Sequence, residues 1–108
     1  AAHIVQPEMG HTGITQFMRI GRYAESHRLQ IIPHATIGAG IFLAASLQAS
    51  AALRSVTSHE FQHSIFEPFR HFTNNVLSCE NGAYTLPKTP GIGVEPSDAM
   101  RAAMKRIA

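Results

Sequence analysis

The chain has 108 residues, 44% of them hydrophobic and 15% charged, which suits one packed domain and excludes a disordered segment. Nine basic against seven acidic residues give a net charge of +2 with no dense basic cluster, too mild a bias to point to nucleic acid. The single cysteine, Cys79, excludes an internal disulfide framework and fits a reducing compartment, so a cytoplasmic location is expected.

No signal-peptide pattern opens the chain. Ala1-Ala2-His3-Ile4-Val5-Gln6-Pro7 reads as direct entry into a strand, the expectation for a piece of something larger. The strand Ile4-Val5-Gln6 ends at Pro7-Glu8, and Met9 to Gly13 reads as a polar loop in which Thr12 or Gly13 caps the next helix. From Ile14 to His27 apolar residues fall at helical spacing (Ile14, Phe17, Gly21, Ala24), with Arg19, Arg22, Glu25 and Arg28 mostly off that stripe. Gly21 costs helix stability and so points to close packing against a neighbour. Leu29 to Ile32 is a short apolar strand that runs into Pro33-His34, and Thr36 to Gly40 is a strand-to-helix loop. Ile41 to Leu53 is a helix apolar over a wide face; its Ala, Gly, Ser and Gln48 content reads as a buried helix, not a membrane span. Thr57 to Phe61 is expected to form a third strand, ending near Gln62-His63.

After this the texture changes. Glu67-Pro68 breaks the pattern. Asn81-Gly82 is a strong hairpin signal between Leu77-Ser78-Cys79 and Tyr84-Thr85-Leu86. Pro87 to Gly93 is a loop, and Ser97 can N-cap a last helix through Ile107, with Asp98 at its start and Lys105 and Arg106 at its end.

A strand–helix–strand–helix–strand order is the grammar of a parallel α/β sheet, in which chemistry sits at the carboxyl ends of strands. That places His34, and with it Glu8 and Glu60, where site residues belong. On spacing alone, a core or loop histidine held by a hydrogen bond is the plainer reading of His34. His59-Glu60-Phe61-Gln62-His63 also matches H-E-x-x-H, which on a helix would set two imidazoles around zinc, with the glutamate as base of a metallopeptidase. The context opposes it: Val56 and Thr57 are β-branched, Ser55 and Ser58 are weak helix formers, and Phe66 and Phe69 stand where the extended motif needs glycine and histidine. Gly38-Ala39-Gly40 could hold an anion at a helix N-terminus, but tight loop geometry explains it equally well. Cys79 has no pattern that marks a nucleophile, and His11, His27 and His71 read as surface residues.

Taken in order, several stretches carry a resemblance: Gln6-Pro7-Glu8, Gly13-Ile14-Thr15, Ala24-Glu25-Ser26-His27, Pro33-His34, Leu43-Ala44-Ala45-Ser46-Leu47, Glu60-Phe61-Gln62, and Pro90-Gly91-Ile92-Gly93-Val94-Glu95. Over nearly its whole length the chain resembles the C-terminal part of the mandelate racemase/muconate lactonizing enzyme branch of the enolase superfamily. The resemblance implies a partial (β/α)8 TIM barrel, namely the last three βα strands at residues 1–66. It also implies a hairpin and helix segment at 67–108 that packs back on the barrel and the capping domain. His34 matches the family's catalytic histidine, Glu8 stands where the family usually has the aspartate that orients it, and Glu60 matches the carboxylic acid that hydrogen-bonds the developing enolate. The implied activity is α-proton abstraction from a sugar acid or hydroxy acid by a dehydratase, cycloisomerase or racemase. Such sites use a Lys or His base with Mg²⁺; the magnesium ligands are expected upstream of this chain, with none among its own residues. The implied partners are a small-molecule acid substrate, the rest of the barrel and its capping domain, and further copies in a homo-oligomer, with no nucleic acid or membrane. The alternatives are the zinc metallopeptidase and a non-catalytic barrel remnant that associates with a partner.

Overall fold

The computed structural model describes residues 2–35 and 40–105. Strands β1 (Ile4–Val5) and β2 (Gln30–Ile31) pair in parallel, Ile4 opposite Gln30 and Val5 opposite Ile31. A parallel pair needs a crossover, and helix α1 (Met9–Ser26) supplies it. The register continues past the strands to an isolated parallel bridge between Glu8 and His34.

The expected third strand at Thr57–Phe61 does not form as a ladder. One parallel bridge joins Val56 to Ile31, with the Ile31 amide donating to the Ser55 carbonyl at 3.0 Å. The next amide on β2 that would donate to this segment is that of Pro33, and proline has no N–H. The ladder therefore stops, and the segment meets β2 again only where the Glu60 amide reaches the Pro33 carbonyl at 3.4 Å.

Side chains alternate across this small sheet. Ile31, Pro33 and Ala35 are buried on one face, whereas Gln30, Ile32 and His34 lie on the other. The buried face packs on α1 and on α2 (Gly40–Ala51), giving a core of Met9, Phe17, Ala24, Ile31, Ala49 and Leu53. Gly21 lies where α1 meets the chain just beyond α2: a Cβ there would run into the Leu53 side chain. The expected polar loop at Met9–Gly13 is instead the first turn of α1, because Met9 is buried and anchors it; Gly13, at φ 65°, then kinks the helix. Neither Thr12 nor Gly13 caps the start. Glu8 is the capping residue, and its carbonyl accepts from the Thr12 amide at 3.1 Å.

α2 has apolar neighbours on a second side as well, where Ala44 and Leu47 join Phe66, Leu77 and Val94 in a second core. That double burial is why its sequence is apolar over a wide face. Glu67-Pro68 does not break the chain: it lies inside α3 (His63–Phe69), where Pro68 falls near the helix end and removes few intrahelical bonds. A 3-10 turn, Arg70–Phe72, leads to β3 (Thr73–Asn74), which pairs antiparallel with β6 (Glu95–Pro96). Between them β4 (Ser78–Glu80) and β5 (Ala83–Thr85) form the hairpin, with positive φ at both Asn81 (52°) and Gly82 (76°), as a type I′ turn requires. Ser97 Oγ accepts from the Met100 amide at 3.2 Å and caps α4 (Asp98–Ala103). This helix stops at Ala103, short of the expected end. Lys105 lies beyond it, and Arg106 and Ile107 lie outside the described residues. Among the described residues no helix is long and apolar enough to cross a membrane.

Candidate active site

The constant parallel register puts Glu8 and His34 side by side with their side chains on the same face. Glu8 Oε2 lies 3.1 Å from His34 Nδ1. An ionised carboxylate only accepts, so this bond assigns the proton to Nδ1 and aims Nε2 away from Glu8. There Nε2 faces Glu60 Oε2 at 3.8 Å. The imidazole is thus flanked by two carboxylates, one from the strand before it and one from the segment after it. His34 is half-buried, with 40% of its side chain exposed, so it can still meet a small molecule.

Glu60 is held by its own partners. The Ala35 amide donates to Oε2 at 3.1 Å, and Gln6 Nε2 donates to Oε1 at 2.7 Å. Gln6 reaches across His34's strand to do so. Sequence reading placed Gln6 in a matching stretch but not in the site. The available signal was the two-residue period: Gln6 precedes Glu8 by two and so shares its face. His11 is a second addition, its Nε2 3.4 Å from Glu8 Oε2, although its side chain is 82% exposed.

The backbone of Glu60 is also gripped. Its carbonyl accepts from His59 Nδ1 at 2.9 Å and from the Tyr84 hydroxyl at 3.1 Å. With Nδ1 donating, His59 Nε2 accepts from Ser46 Oγ at 2.8 Å. Burial holds the His59 pKa below its ordinary value of 6.5, against the opposing pull of the hydrogen bond to Glu60 and of its charge. Burial, followed by the nearby Cys79, pushes the Tyr84 hydroxyl up to about 12, so it is a proton donor at any working pH.

The two histidines of the H-E-x-x-H stretch do not share a helix face. His59 to Gln62 is irregular, whereas His63 opens α3 and is exposed. Both His59 nitrogens are already engaged. Among the described residues no three histidine, cysteine, aspartate or glutamate side chains are grouped to hold a metal ion. Glu8 and Glu60 are turned to His34, Gln6 and Ala35 rather than to a common point, so this chain's described residues do not by themselves fit a magnesium site. Gly38 and Ala39 of the suggested anion loop lie outside the described residues. Cys79 sits half-buried in β4, opposite Tyr84.

The chain as a whole has counterparts among known proteins. The family described as enolase C-terminal domain-like matches residues 1–100, and the chain belongs to it. It is 33% identical to D-galactarolactone cycloisomerase of Agrobacterium fabrum, a match that takes in 88% of this chain and 27% of that protein. It is 30% identical to arabinonate dehydratase of Saccharolobus solfataricus, over 93% of this chain and 26% of that protein. A crystal structure of an enolase-superfamily member from Agrobacterium tumefaciens superimposes with a TM-score of 0.94 at 58% identity, covering 97% of this chain and 27% of that one. The chain therefore spans about a quarter of the length of the curated relatives it matches.

Proposed function

We propose that this chain is the C-terminal part of the catalytic barrel of an enolase-superfamily enzyme that abstracts the α-proton of a sugar acid or related hydroxy acid. Residues 1–66 supply the last three βα strands of a (β/α)8 barrel, and 67–108 pack back on it and on a capping domain. The observation that carries the reading is the Glu8–His34–Glu60 row, with a carboxylate on either side of one imidazole, His34 following β2, Glu8 following β1 and Glu60 on the irregular segment beside them. The relatives' names, a cycloisomerase and a sugar-acid dehydratase, favour dehydration or cycloisomerisation over racemisation.

Removing a proton beside a carboxylate creates a dianionic enolate, which needs strong charge stabilisation in the transition state. Magnesium is the ion the family uses for that charge, and its ligands belong to parts of the enzyme outside this chain. What this chain supplies is proton handling. Glu8 fixes the His34 tautomer and orientation through Nδ1, and Nε2 takes the substrate proton or delivers one to a departing hydroxide. Both Glu60 oxygens accept hydrogen bonds from the protein, so Glu60 donates to an enolate oxygen only as the neutral acid.

The test uses the complete enzyme in D2O with a panel of sugar acids, reading turnover and α-deuterium incorporation. His34→Asn should lower the rate by ~10²–10⁴-fold, the usual worth of a general acid or base. Glu8→Gln acts through His34, so the double variant should be little worse than His34→Asn alone. Full activity of His34→Asn overturns the proposal.

A further inference from the structure

The backbone carbonyl of Glu60 receives two hydrogen bonds from side chains that the proposed chemistry does not use. His59 Nδ1 donates at 2.9 Å, and the Tyr84 hydroxyl donates at 3.1 Å from the hairpin, a different part of the chain. We propose that Tyr84 and His59 are positioning residues that fix the Glu60 peptide and thereby set where its carboxyl group stands relative to His34.

The need for such a clamp follows from the ladder. Pro33 ends the regular pairing of the third segment with β2, so Glu60 sits beyond the last ladder bond; among the described residues its backbone meets that strand through the 3.4 Å amide contact to the Pro33 carbonyl. A side chain carried on a loosely paired backbone can shift by about an ångström, and a misplacement of that size can cost ~10²-fold in rate. The two donors approach from opposite origins. His59 is fixed by Ser46, a fully buried residue of α2, through Nε2. Tyr84 is fixed by its ring, which meets His59 edge-on with centroids 5.7 Å apart and packs near Phe61 at 6.0 Å and Phe66 at 6.2 Å. The protonation states support the arrangement: burial keeps His59 neutral, with Nδ1 as donor and Nε2 as acceptor, and keeps the Tyr84 proton in place. In this reading the β4–β5 hairpin is part of the site's machinery, reaching Glu60 through one hydroxyl.

The inference rests on the proposed role of Glu60, and the test separates the two. In the complete enzyme, Glu60→Gln is measured beside Tyr84→Phe, His59→Leu and His59→Asn. Tyr84→Phe removes only the hydroxyl and keeps the ring packing. His59→Asn keeps a donor near the Nδ1 position, whereas His59→Leu removes it. Each variant is read for kcat, KM and melting temperature. The expected result is a ~10-fold fall in kcat for Tyr84→Phe and for His59→Leu at unchanged KM, part of the range a small misplacement can cost. His59→Asn should recover most of that loss. A role in folding alone would move the melting temperature and leave kcat per folded enzyme intact. Full kcat in both Tyr84→Phe and His59→Leu, with Glu60→Gln impaired, overturns the clamp and leaves the site reading standing. Full kcat in Glu60→Gln overturns the role of Glu60 and the clamp with it. If Tyr84→Phe does not fold, the His59→Leu and His59→Asn pair decides alone.

Discussion

At the scale of single residues, the state of His59 ties stability to pH. Its pKa is lowered in the folded chain because burial disfavours the charged imidazole more than Glu60 restores it. The unfolded chain therefore takes up this proton first as pH falls through 6.5. Proton uptake by the unfolded state alone favours unfolding, so His59's contribution is complete above that pH and is lost below it, until the folded state also protonates. The groups facing His59 are Ser46 on α2, Tyr84 on β5 and the adjacent Glu60. Melting temperature should fall between pH 7 and 5.5, and the fall should be smaller in His59→Asn, which cannot protonate but keeps the amide donor. An equal fall in both proteins would show that burial of this imidazole does not govern the acid limb. The same residue shows how far sequence reading reached. His59 was visible only as part of a zinc-like pattern, because the bond that defines it, to a backbone carbonyl, leaves no signature in residue types.

Among the elements, the contact between α1 and the chain leaving α2 turns on Gly21. The place of a Cβ there is already taken by Leu53, a buried side chain whose Cγ would lie 3.1 Å away. Gly21→Val should destabilise the fold by about 1–3 kcal/mol, the usual cost of overpacking a filled core. Leu53→Ala should cost ~2–5 kcal/mol by the opposite route, a cavity. Because each change relieves the other, the double variant should lie well short of the sum in a denaturant titration. Additive losses would mean that α1 and the chain leaving α2 do not meet at this pair. Helices α1, α2 and α4, the parallel pair and the hairpin were legible because each rests on a local signal, such as an apolar helical face, a serine cap, a short apolar run or Asn81-Gly82; α3 was missed because Pro68 in its last turn reads as a breaker. The third strand was misread because a strand needs a partner with donors, and Pro33 removes one from the neighbouring strand. The pairing of Thr73–Asn74 with Glu95–Pro96 was not seen either, since two-residue strands far apart in sequence carry no periodicity to detect.

For the whole molecule, one face of the small sheet is covered and the other is not. Ile4 is 45% exposed, on the face of the sheet that carries Gln6 and His34, and Phe61, next to Glu60, is 44% exposed. Among the described residues β1 is also hydrogen-bonded to a single strand, β2. Unpaired strand edges beside exposed apolar side chains are templates for association. In the proposed enzyme, the remaining barrel strands pair with that edge and close over that face, bringing with them the magnesium ligands that the described residues of this chain do not assemble. The row Glu8–His34–Glu60 then handles protons for a substrate whose charge is met from elsewhere. The chain alone keeps the row but has nothing to hold the substrate carboxylate against it, so proton transfer loses both its positioning and its charge stabilisation. The purified 108-residue chain should therefore show no magnesium-dependent turnover or α-deuterium exchange of any sugar acid, and should associate as its concentration rises. Adding the separately expressed upstream portion of the enzyme should restore exchange and suppress self-association, which sedimentation velocity can follow in the same samples. Turnover by the chain on its own would show that 108 residues hold a complete site and that the barrel reading is wrong.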